Sequence, residues 1–191
     1  MFPHACAPKI TGHCRIIDYD TNEVLADRSN ACNFEAFSLA LALSLADQPN
    51  GNIQTMVFGN GASSVSATGA ITYLPPNVTG TTATLHNQTW SKVVNNQSTL
   101  DLDTTENFIT VSHTANTTFS DVTVTCLLAY GEPAAQQAFD NAAQVNGEFI
   151  FDELGLTTST GMLLSHVIFH PVQKALDRQL QIEYVIRIVM S

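Results

Sequence analysis

The segment "RQLQIEYVIRIVM", residues 178–190, has the most regular period of two in the chain. One set of alternate positions is apolar or aromatic throughout: Leu180, Ile182, Tyr184, Ile186 and Ile188. The positions between them are Gln181, Glu183, Val185, Arg187 and Val189. Because successive side chains of a β-strand point to opposite sides, this period predicts a long strand with one face in the core.

Other segments of the chain predict further strands. "FSDVTVTCLLAY", residues 119–130, alternates in the same way, with an apolar face of Val122, Val124, Cys126 and Leu128. "RIIDYD" and "EVLADR" flank the turn "DTNE" and predict a hairpin. The remaining predicted strands are "IQTMVFGNG", "ATLHNQTWSKVV", "NFITVSHTA", "EFIFDELGL" and "GMLLSHVIFHPV". About seven to nine strands in one chain predict a mainly β fold, a β-sandwich.

One segment, "NFEAFSLALALSLADQPNG", predicts a helix near the N-terminus. Asn33 is a favourable N-cap, and Glu35 lies in the first turn, where a negative charge is stabilising. Pro49 and Gly51 end the helical pattern. We therefore expect a single N-terminal α-helix packed on the sandwich.

The predicted helix is apolar on most of its sides. Phe34, Phe37, Leu41 and Leu45 form one stripe, and Leu39 and Leu43 lie outside it, separated only by Ser and Ala. A helix of this composition is buried on most sides. We expect it to pack against the sheet and against a second subunit, which makes Phe34, Phe37, Leu41 and Leu45 candidate oligomer-interface residues.

The length of 191 residues accommodates one domain with a substantial core. Residues 1–14 contain two prolines after Met1 and little periodicity, so we interpret them as an extended N-terminal arm. Residues 15–191 then form a single β-rich domain. The polar insertion "GEPAAQQAFDNAAQVNG", residues 131–147, and the arm are both expected to reach neighbouring subunits.

Low charge and an acidic balance limit the partners of this chain. Charged residues are 13% of the sequence, and the net charge is −10. No Lys or Arg lies between Lys92 and Lys174. Since nucleic-acid affinity depends on cations that neutralise phosphates, we expect no specific nucleic-acid binding. No apolar run has the length of a membrane span or a signal peptide, so we expect neither membrane insertion nor secretion.

The four cysteines do not form a common zinc motif. We expect Cys126 to be a small buried residue of a strand and Cys32 to be a free thiol. Cys6 and Cys14 lie in the predicted arm, where an exposed pair could form a disulfide within or between chains. A less favoured alternative is a metal cluster of these two thiols with His4 and His13. Because the spacing fits no common zinc site, we expect no metal and no cofactor.

The glycine-rich segment "FGNGASSVSATGAITYLPPN", residues 58–77, is interpreted as a shaped loop between strands. A dinucleotide fingerprint needs a third glycine where Ser64 stands and a helix after it. A phosphate loop of the Walker type needs a Lys followed by Ser or Thr, which is absent here. We expect Gly59, Gly61 and Gly69 to supply positive φ angles.

The remaining polar residues do not predict an active site. His166 and His170 would lie about 13 Å apart on a strand, too far to share one zinc ion. Asp101 and Asp103 could share a strand face, but acids in "LDLDTTE" and "FDELG" are interpreted as solvated turn residues, with weak Ca²⁺ binding as the alternative. Ser165 and His166 are adjacent on a strand and point apart, so we predict that the chain is not an enzyme.

Four segments together resemble structural proteins of tailed-phage virions: "FGNGASSVSATGAITYLPPN", "TATLHNQTWSKVVN", "FIFDELGL" and "MLLSHVIFHPVQKALDRQLQIEYVIRI". The resemblance covers roughly residues 11–190. It implies a β-rich virion subunit at the neck, collar or tail. The composition agrees with a homo-oligomeric ring that contacts neighbouring virion proteins, because neutral polar surfaces are less costly to bury than charged ones.

Two other functions are compatible with the sequence. One is a capsid decoration protein. The other is a carbohydrate- or receptor-binding β module of a tail fibre or baseplate, in which Trp90, Tyr73 and Tyr130 would stack on sugar rings. The same aromatic residues are also typical of a protein core, and we favour that interpretation.

Overall fold

The computed structural model describes residues 8–133 and 149–190. These residues form one helix, α1 (Phe34–Leu45), and eleven strands. The strands are β1 (Lys9–Asp18), β2 (Val24–Cys32), β3 (Ile53–Gly59), β4 (Ser63–Val65), β5 (Ile71–Tyr73), β6 (Gln88–Val93), β7 (Phe108–His113), β8 (Phe119–Leu128), β9 (Phe149–Thr158), β10 (Leu163–Lys174) and β11 (Leu180–Val189). The predicted insertion lies outside the described residues from position 134 to 148.

Nine strands form one curled sheet in the order β6-β3-β9-β10-β2-β1-β11-β8-β7, and β4 and β5 form a separate hairpin. All of these pairings are antiparallel. The sheet divides at β2, which pairs with β1 along most of its length but with β10 only through Ala31 and Cys32. We call β2-β1-β11-β8-β7 the first half and β6-β3-β9-β10 the second half.

The two halves enclose a common core that contains apolar residues from both. This arrangement confirms the predicted mainly β, sandwich-like fold with one helix. Tyr184 of β11 connects the halves, because its hydroxyl accepts a hydrogen bond from Asn30 of β2 (2.6 Å) and donates one to Ser165 of β10 (2.9 Å). The hydroxyl groups of Tyr184 and Ser165 are both buried, and these hydrogen bonds satisfy them.

The strand β11 confirms the period on which the fold prediction rests. It pairs with β1 and β8 through ten residue pairs each. Leu180, Ile182, Tyr184 and Ile186 of its predicted inner face are each 0–1% exposed. Burying one such side chain contributes about 1.5–3 kcal/mol, so this strand is a major source of stability.

The helix begins where the sequence predicts. The Asn33 side chain accepts a hydrogen bond from the backbone N–H of Ala36 (3.2 Å) and donates one to the carbonyl of Gly80 (2.7 Å). Asn33 therefore caps the helix and ties it to a loop of the second half. Phe37 and Ala40 face the sheet and are buried.

The boundary predicted between the arm and the domain is wrong. Strand β1 already begins at Lys9, and its residues 9–14 pair with β11 while residues 12–14 also pair with β2. Ile10 and Cys14 point into the core, at 7% and 2% exposure. Gly12 conceals this period in the sequence. A Cβ atom there would lie 1.8 Å from the Asn30 side chain, which would have to move away.

Candidate functional site

A loop of residues 74–87 lies over the outer face of the second half, and we call it the covering loop. Ala83 and Leu85 of the loop are buried in a small apolar cluster with Val57 of β3 and Leu163 of β10. The predicted strand "ATLHNQTWSKVV" is therefore shorter than expected, because β6 contains only Gln88–Val93. Residues 56–59 of β3, 151–158 of β9 and 163–167 of β10 are consequently buried on both faces of the sheet.

Glu153 of β9 holds one end of the covering loop. Its carboxylate is 0% exposed. It accepts hydrogen bonds of 2.8–3.1 Å from the backbone N–H groups of Gly61, Asn87 and His86, and one of 2.9 Å from the ring of His166. Four donors satisfy a carboxylate that would otherwise be very unfavourable to bury.

Asp152, the neighbour of Glu153, holds the segment that follows β3. Its carboxylate accepts hydrogen bonds from the backbone N–H of Ala62 (3.1 Å) and from both the N–H (2.7 Å) and the hydroxyl (2.5 Å) of Ser63. Both carboxylates therefore bind successive N–H groups of residues 61–63. We call residues 59–63 the glycine-rich loop.

The glycine-rich loop does bind anions, but the anions are the protein's own carboxylates. A run of converging backbone N–H groups is the arrangement that binds phosphate in nucleotide-binding proteins. Here Asp152 and Glu153 already accept hydrogen bonds from the N–H groups of Gly61, Ala62 and Ser63. This agrees with the interpretation of residues 58–77 as a shaped loop. The same segment also contains the short β4–β5 hairpin.

The reason for the glycines differs from the prediction at two positions. Gly69 has a φ of 81°, as expected, whereas Gly59 and Gly61 are not among the residues with positive φ. A Cβ atom at Gly59 would lie 2.4 Å from the carbonyl oxygen of Asn87, and one at Gly61 would lie 2.7 Å from the nitrogen of the same residue. Both glycines are required by close packing against the covering loop.

His166 links Glu153 to the middle of the covering loop. It is fully buried, and its Nδ1 accepts a hydrogen bond from the backbone N–H of Asn77 (2.9 Å). Because Nδ1 is an acceptor, Nε2 must carry the proton and donate it to Glu153 at 2.9 Å. This geometry assigns the neutral tautomer of the imidazole.

The ligand atoms of His86, Glu153 and His166 lie within 4.8 Å of one another, a separation at which three groups could share a metal ion. A metal ion at Nε2 of His166 would move the ring proton to Nδ1, where it would face the N–H of Asn77. It would also displace N–H donors from Glu153, whose oxygens each accept two. The cluster therefore does not fit a metal ion and serves to anchor the loop.

The two adjacent carboxyl groups have pKa values that move in opposite directions. Burial alone would raise the pKa of Glu153, but the hydrogen bonds from His166, Asn87 and His86 hold it below its usual value. Burial raises the pKa of Asp152, and the charge of Glu153 adds to this rise. Glu153 is thus the better stabilised anion of the pair.

Sequence reasoning missed this pair because it treated the acids of "FDELG" as solvated turn residues. Asp152 and Glu153 are 2% and 0% exposed and lie within β9. Two acids between the apolar residues Phe151 and Leu154 could have been a signal, since one of two neighbours on a strand faces inward. Their partners in the glycine-rich loop are about 90 residues away in sequence.

The acids of "LDLDTTE" do lie in a turn segment between β6 and β7, and not on a strand. Asp101 accepts a hydrogen bond from the N–H of Asp103 (3.0 Å), and Asp103 accepts one from the N–H of Thr105 (3.3 Å). Asp103 is exposed, as a turn acid should be. These carboxylates shape a local turn.

The two predicted histidines and the adjacent serine are not brought together. His166 is buried together with Asp152 and Glu153, and we call these three residues and the N–H groups they bind the buried polar node. His170 is exposed and contacts the hydroxyl of Tyr73 at 3.1 Å. Ser165 accepts a hydrogen bond from Tyr184 in the inner core, and therefore faces away from His166 as predicted.

Cys14 is not in an exposed arm. It is 2% exposed, its thiol is free, and burial, aided by the charge of Asp27, raises its pKa well above the usual value. Cys6 lies outside the described residues, so its pairing stays a prediction, but a bond to Cys14 would require β1 to open. His13 points outward to Asp27 (2.6 Å), so it cannot join Cys14 in a metal cluster.

The other thiols agree with the predictions. Cys126 is fully buried on the inner face of β8, and burial raises its pKa to about 12. Cys32 is also a buried free thiol, with a pKa that burial raises to about 11. Neither is suited to react in the folded protein, since the thiolate is the reactive form.

The four candidate interface residues of α1 divide into two kinds. Phe37 is 5% exposed and belongs to the core. Phe34 and Leu45 are 65% and 89% exposed, and Leu41 is partly buried. The exposed stripe of the helix therefore contains Phe34, Leu41 and Leu45.

The three aromatic residues considered for sugar stacking have separate partners. Trp90 packs against Phe58 at a centroid distance of 5.5 Å. Tyr73 contacts His170, and the hydroxyl of Tyr130 donates to Asp20 (2.6 Å). Only Trp90 contributes to the core, and no ring contact joins the three within the described part of the chain.

No protein-family model matches the chain, no curated protein matches its sequence, and no solved structure matches its fold. Among the helices of residues 8–133 and 149–190, none has both the length and the apolar content that crossing a membrane requires.

Proposed function

We propose that the chain is a structural subunit of a tailed-phage virion, at the collar, neck or tail, and that it assembles with copies of itself. The observation that carries the assembly is the exposed stripe of α1. Leu45 is 89% exposed and Phe34 65% exposed on a helix whose only charged residue is Glu35. Leaving such a stripe in water is unfavourable, and a contiguous apolar surface typically marks an interaction site.

The magnitude of this effect is sufficient for association. Full burial of one Phe or Leu side chain contributes about 1.5–3 kcal/mol, and the stripe offers several such residues. The small residues Ser38 and Ala42 are exposed beside the stripe and permit another element to approach the helix closely. We expect α1 of one copy to pack against its neighbour.

The buried polar node supports a structural role. The side chains best able to act as acids, bases or ligands are Asp152, Glu153 and His166. All three are engaged in hydrogen bonds that hold loops in place. They make the outer surface of the second half rigid. A rigid surface loses little conformational entropy on binding, which favours a geometric role in an assembly.

The virion part of the proposal depends on the resemblance of four segments to tailed-phage proteins. All four segments contribute to the node: the glycine-rich loop, the covering loop, Glu153 and His166. The motifs therefore describe one connected structural feature. Mass spectrometry of purified tailed particles should find this chain, and labelling in electron micrographs should locate it at the neck or tail.

Light scattering of the purified chain tests the assembly directly. We expect a mass of several subunits for the native chain and a monomer for Leu45→Glu, because a charge in the stripe cannot be buried without large cost. Leu102→Glu is the matched control, since Leu102 is 98% exposed but lies in a loop away from α1. A native chain that is monomeric at all concentrations would contradict the proposal.

A further inference from the structure

A groove of about 360 Å³ runs beside α1, between the helix and the inner faces of β7, β8 and β11. We call it the α1 groove. Its walls are apolar and include Phe37, Leu41, Ile53, Ile109, Val122 and Ile188. This volume lies within the range of sites that bind small molecules or the side chains of a peptide.

The rim of the α1 groove is polar but uncharged. Asn52, Asn95, Asn96 and Gln97 line it, and none of the described lining residues carries a charge. Neutral amides can bond to the backbone of an inserted chain, while the apolar walls accept its side chains. The groove therefore fits an apolar, uncharged peptide segment.

The N-terminal end of the chain has this chemistry and begins next to the groove. Residues 1–7, "MFPHACA", contain Met, Phe and Pro and no Asp, Glu, Lys or Arg. Strand β1 begins at Lys9, and Ile10 pairs with Ile188, which is itself a wall residue. Seven extended residues span roughly 24 Å, enough to lie along a groove of this size.

We propose that the N-terminal segment, residues 1–7, of a neighbouring copy occupies the α1 groove. The inference rests on the assembly proposed above and specifies one of its contacts. Leu41 belongs both to the groove wall and to the exposed stripe of α1, so a copy that packs on the stripe is already next to the groove. The segment then binds at high effective concentration, and each copy is linked to the next.

Disulfide trapping with the native Cys6 tests this contact in the full-length chain. Asn52 is exposed on the rim, so Asn52→Cys places a thiol beside the groove with little effect on folding. The other native thiols do not compete, because Cys14, Cys32 and Cys126 are 2%, 7% and 0% exposed. We expect mild oxidation to produce covalent dimers and larger species on a non-reducing gel.

Two control variants make the trapping specific. Thr68→Cys places a thiol on the exposed turn between β4 and β5 and should give no crosslink. Asn52→Cys combined with Cys6→Ser should give none on its own. When that double variant carries a larger tag and is mixed with native chain, a mixed dimer should form, because Cys6 then comes only from the other copy.

Each alternative outcome is distinguishable. A disulfide within one chain, seen as loss of thiols at monomer mass, would overturn the proposal in favour of docking by the chain's own segment. Failure of both Asn52→Cys and Gln97→Cys to crosslink, while light scattering still shows an oligomer, would overturn the proposal but leave the assembly intact. A small apolar molecule retained in native mass spectra would likewise identify a different occupant.

Discussion

The two halves of the sheet are built from similar strands but are covered differently. In the first half, the inner face of β11 is buried, and the outer face carries exposed groups such as Arg187, which forms a bidentate pair with Asp121 (2.7 Å). In the second half, Leu164 faces the core and Leu163 faces the covering loop, and both are at most 2% exposed. The adjacent buried carboxylates Asp152 and Glu153 lie in the covered half.

This difference explains why Asp152 and Glu153 are buried side by side. A loop laid over a sheet brings backbone N–H groups that have no strand partner, and each must be satisfied. Glu153 and Asp152 satisfy those of the glycine-rich loop and the end of the covering loop. The node is thus a consequence of the covering loop, and four experiments can test this comparison.

The largest effect is expected from Glu153→Leu. It leaves four donors, one of them the buried ring of His166, without their acceptor. Losing one partner of a buried polar network costs about 3–5 kcal/mol. Urea unfolding should show this loss in the free energy of unfolding. The control is Glu183→Gln on the outer face of β11, where a change within about 0.5 kcal/mol is expected. Equal effects of the two variants would contradict the anchoring role.

Alanine substitutions on the two strands compare the halves directly. In β10, Leu163→Ala and Leu164→Ala should each cost about 3 kcal/mol, because both side chains are buried. In β11, Ile182→Ala should cost as much, but Val185→Ala on the outer face less than about 1 kcal/mol. Thermal and urea unfolding of the four variants measure this. A small effect at Leu163 would mean that the covering loop contributes little.

Substitution of two glycines separates close packing from backbone conformation. Gly61→Ala should cost about 2 kcal/mol by forcing a Cβ atom against Asn87. Gly69→Ala should cost about 1 kcal/mol through its positive φ alone. Gly69→Asn should recover most of that loss, because Asn tolerates the left-handed region, whereas Gly61→Asn should not. Unfolding free energies of the four variants distinguish the two mechanisms.

The smallest effect is a dependence of stability on pH. The pKa of Glu153 is lower in the folded than in the unfolded chain, where it is about 4.3. Its contribution to stability is therefore complete above pH 4.3 and lost as the pH falls through the folded pKa. The difference in unfolding free energy between the native chain and Glu153→Gln should shrink below that pH. A constant difference would show that Glu153 does not titrate with folding.

The sequence predicted the one-sided regions better than the two-sided region. The period of two in β11 and β8 reveals both strand and inner face, and the cap at Asn33 locates α1. Where both faces are buried, as in β9, apolar and polar residues no longer alternate. The node also depends on contacts across about 90 residues, which no local pattern reports.

The start of β1 was missed for a different reason. Gly12 and His13 interrupt the apolar signal, although the strand continues through them with Ile10 and Cys14 inside. Gly12 and His13 adopt regular strand structure through their pairing with β11 on one side and β2 on the other. The exposure of Leu45 and Phe34, in contrast, could be anticipated from the helix alone. Its apolar residues lie on most sides, and a sheet can bury only one of them.

The narrow junction at β2 has a mechanical consequence. Two residue pairs join β2 to β10, whereas ten join β1 to β11. A force that pulls one half of the sheet away from the other would therefore break the strand pairing first at Ala31 and Cys32, before the longer pairings within a half. Stretching a single molecule between handles on β1 and β9, one in each half, should show this junction as the first to open; handles at the two ends would instead load the β1–β11 pair, because Lys9 pairs with Val189.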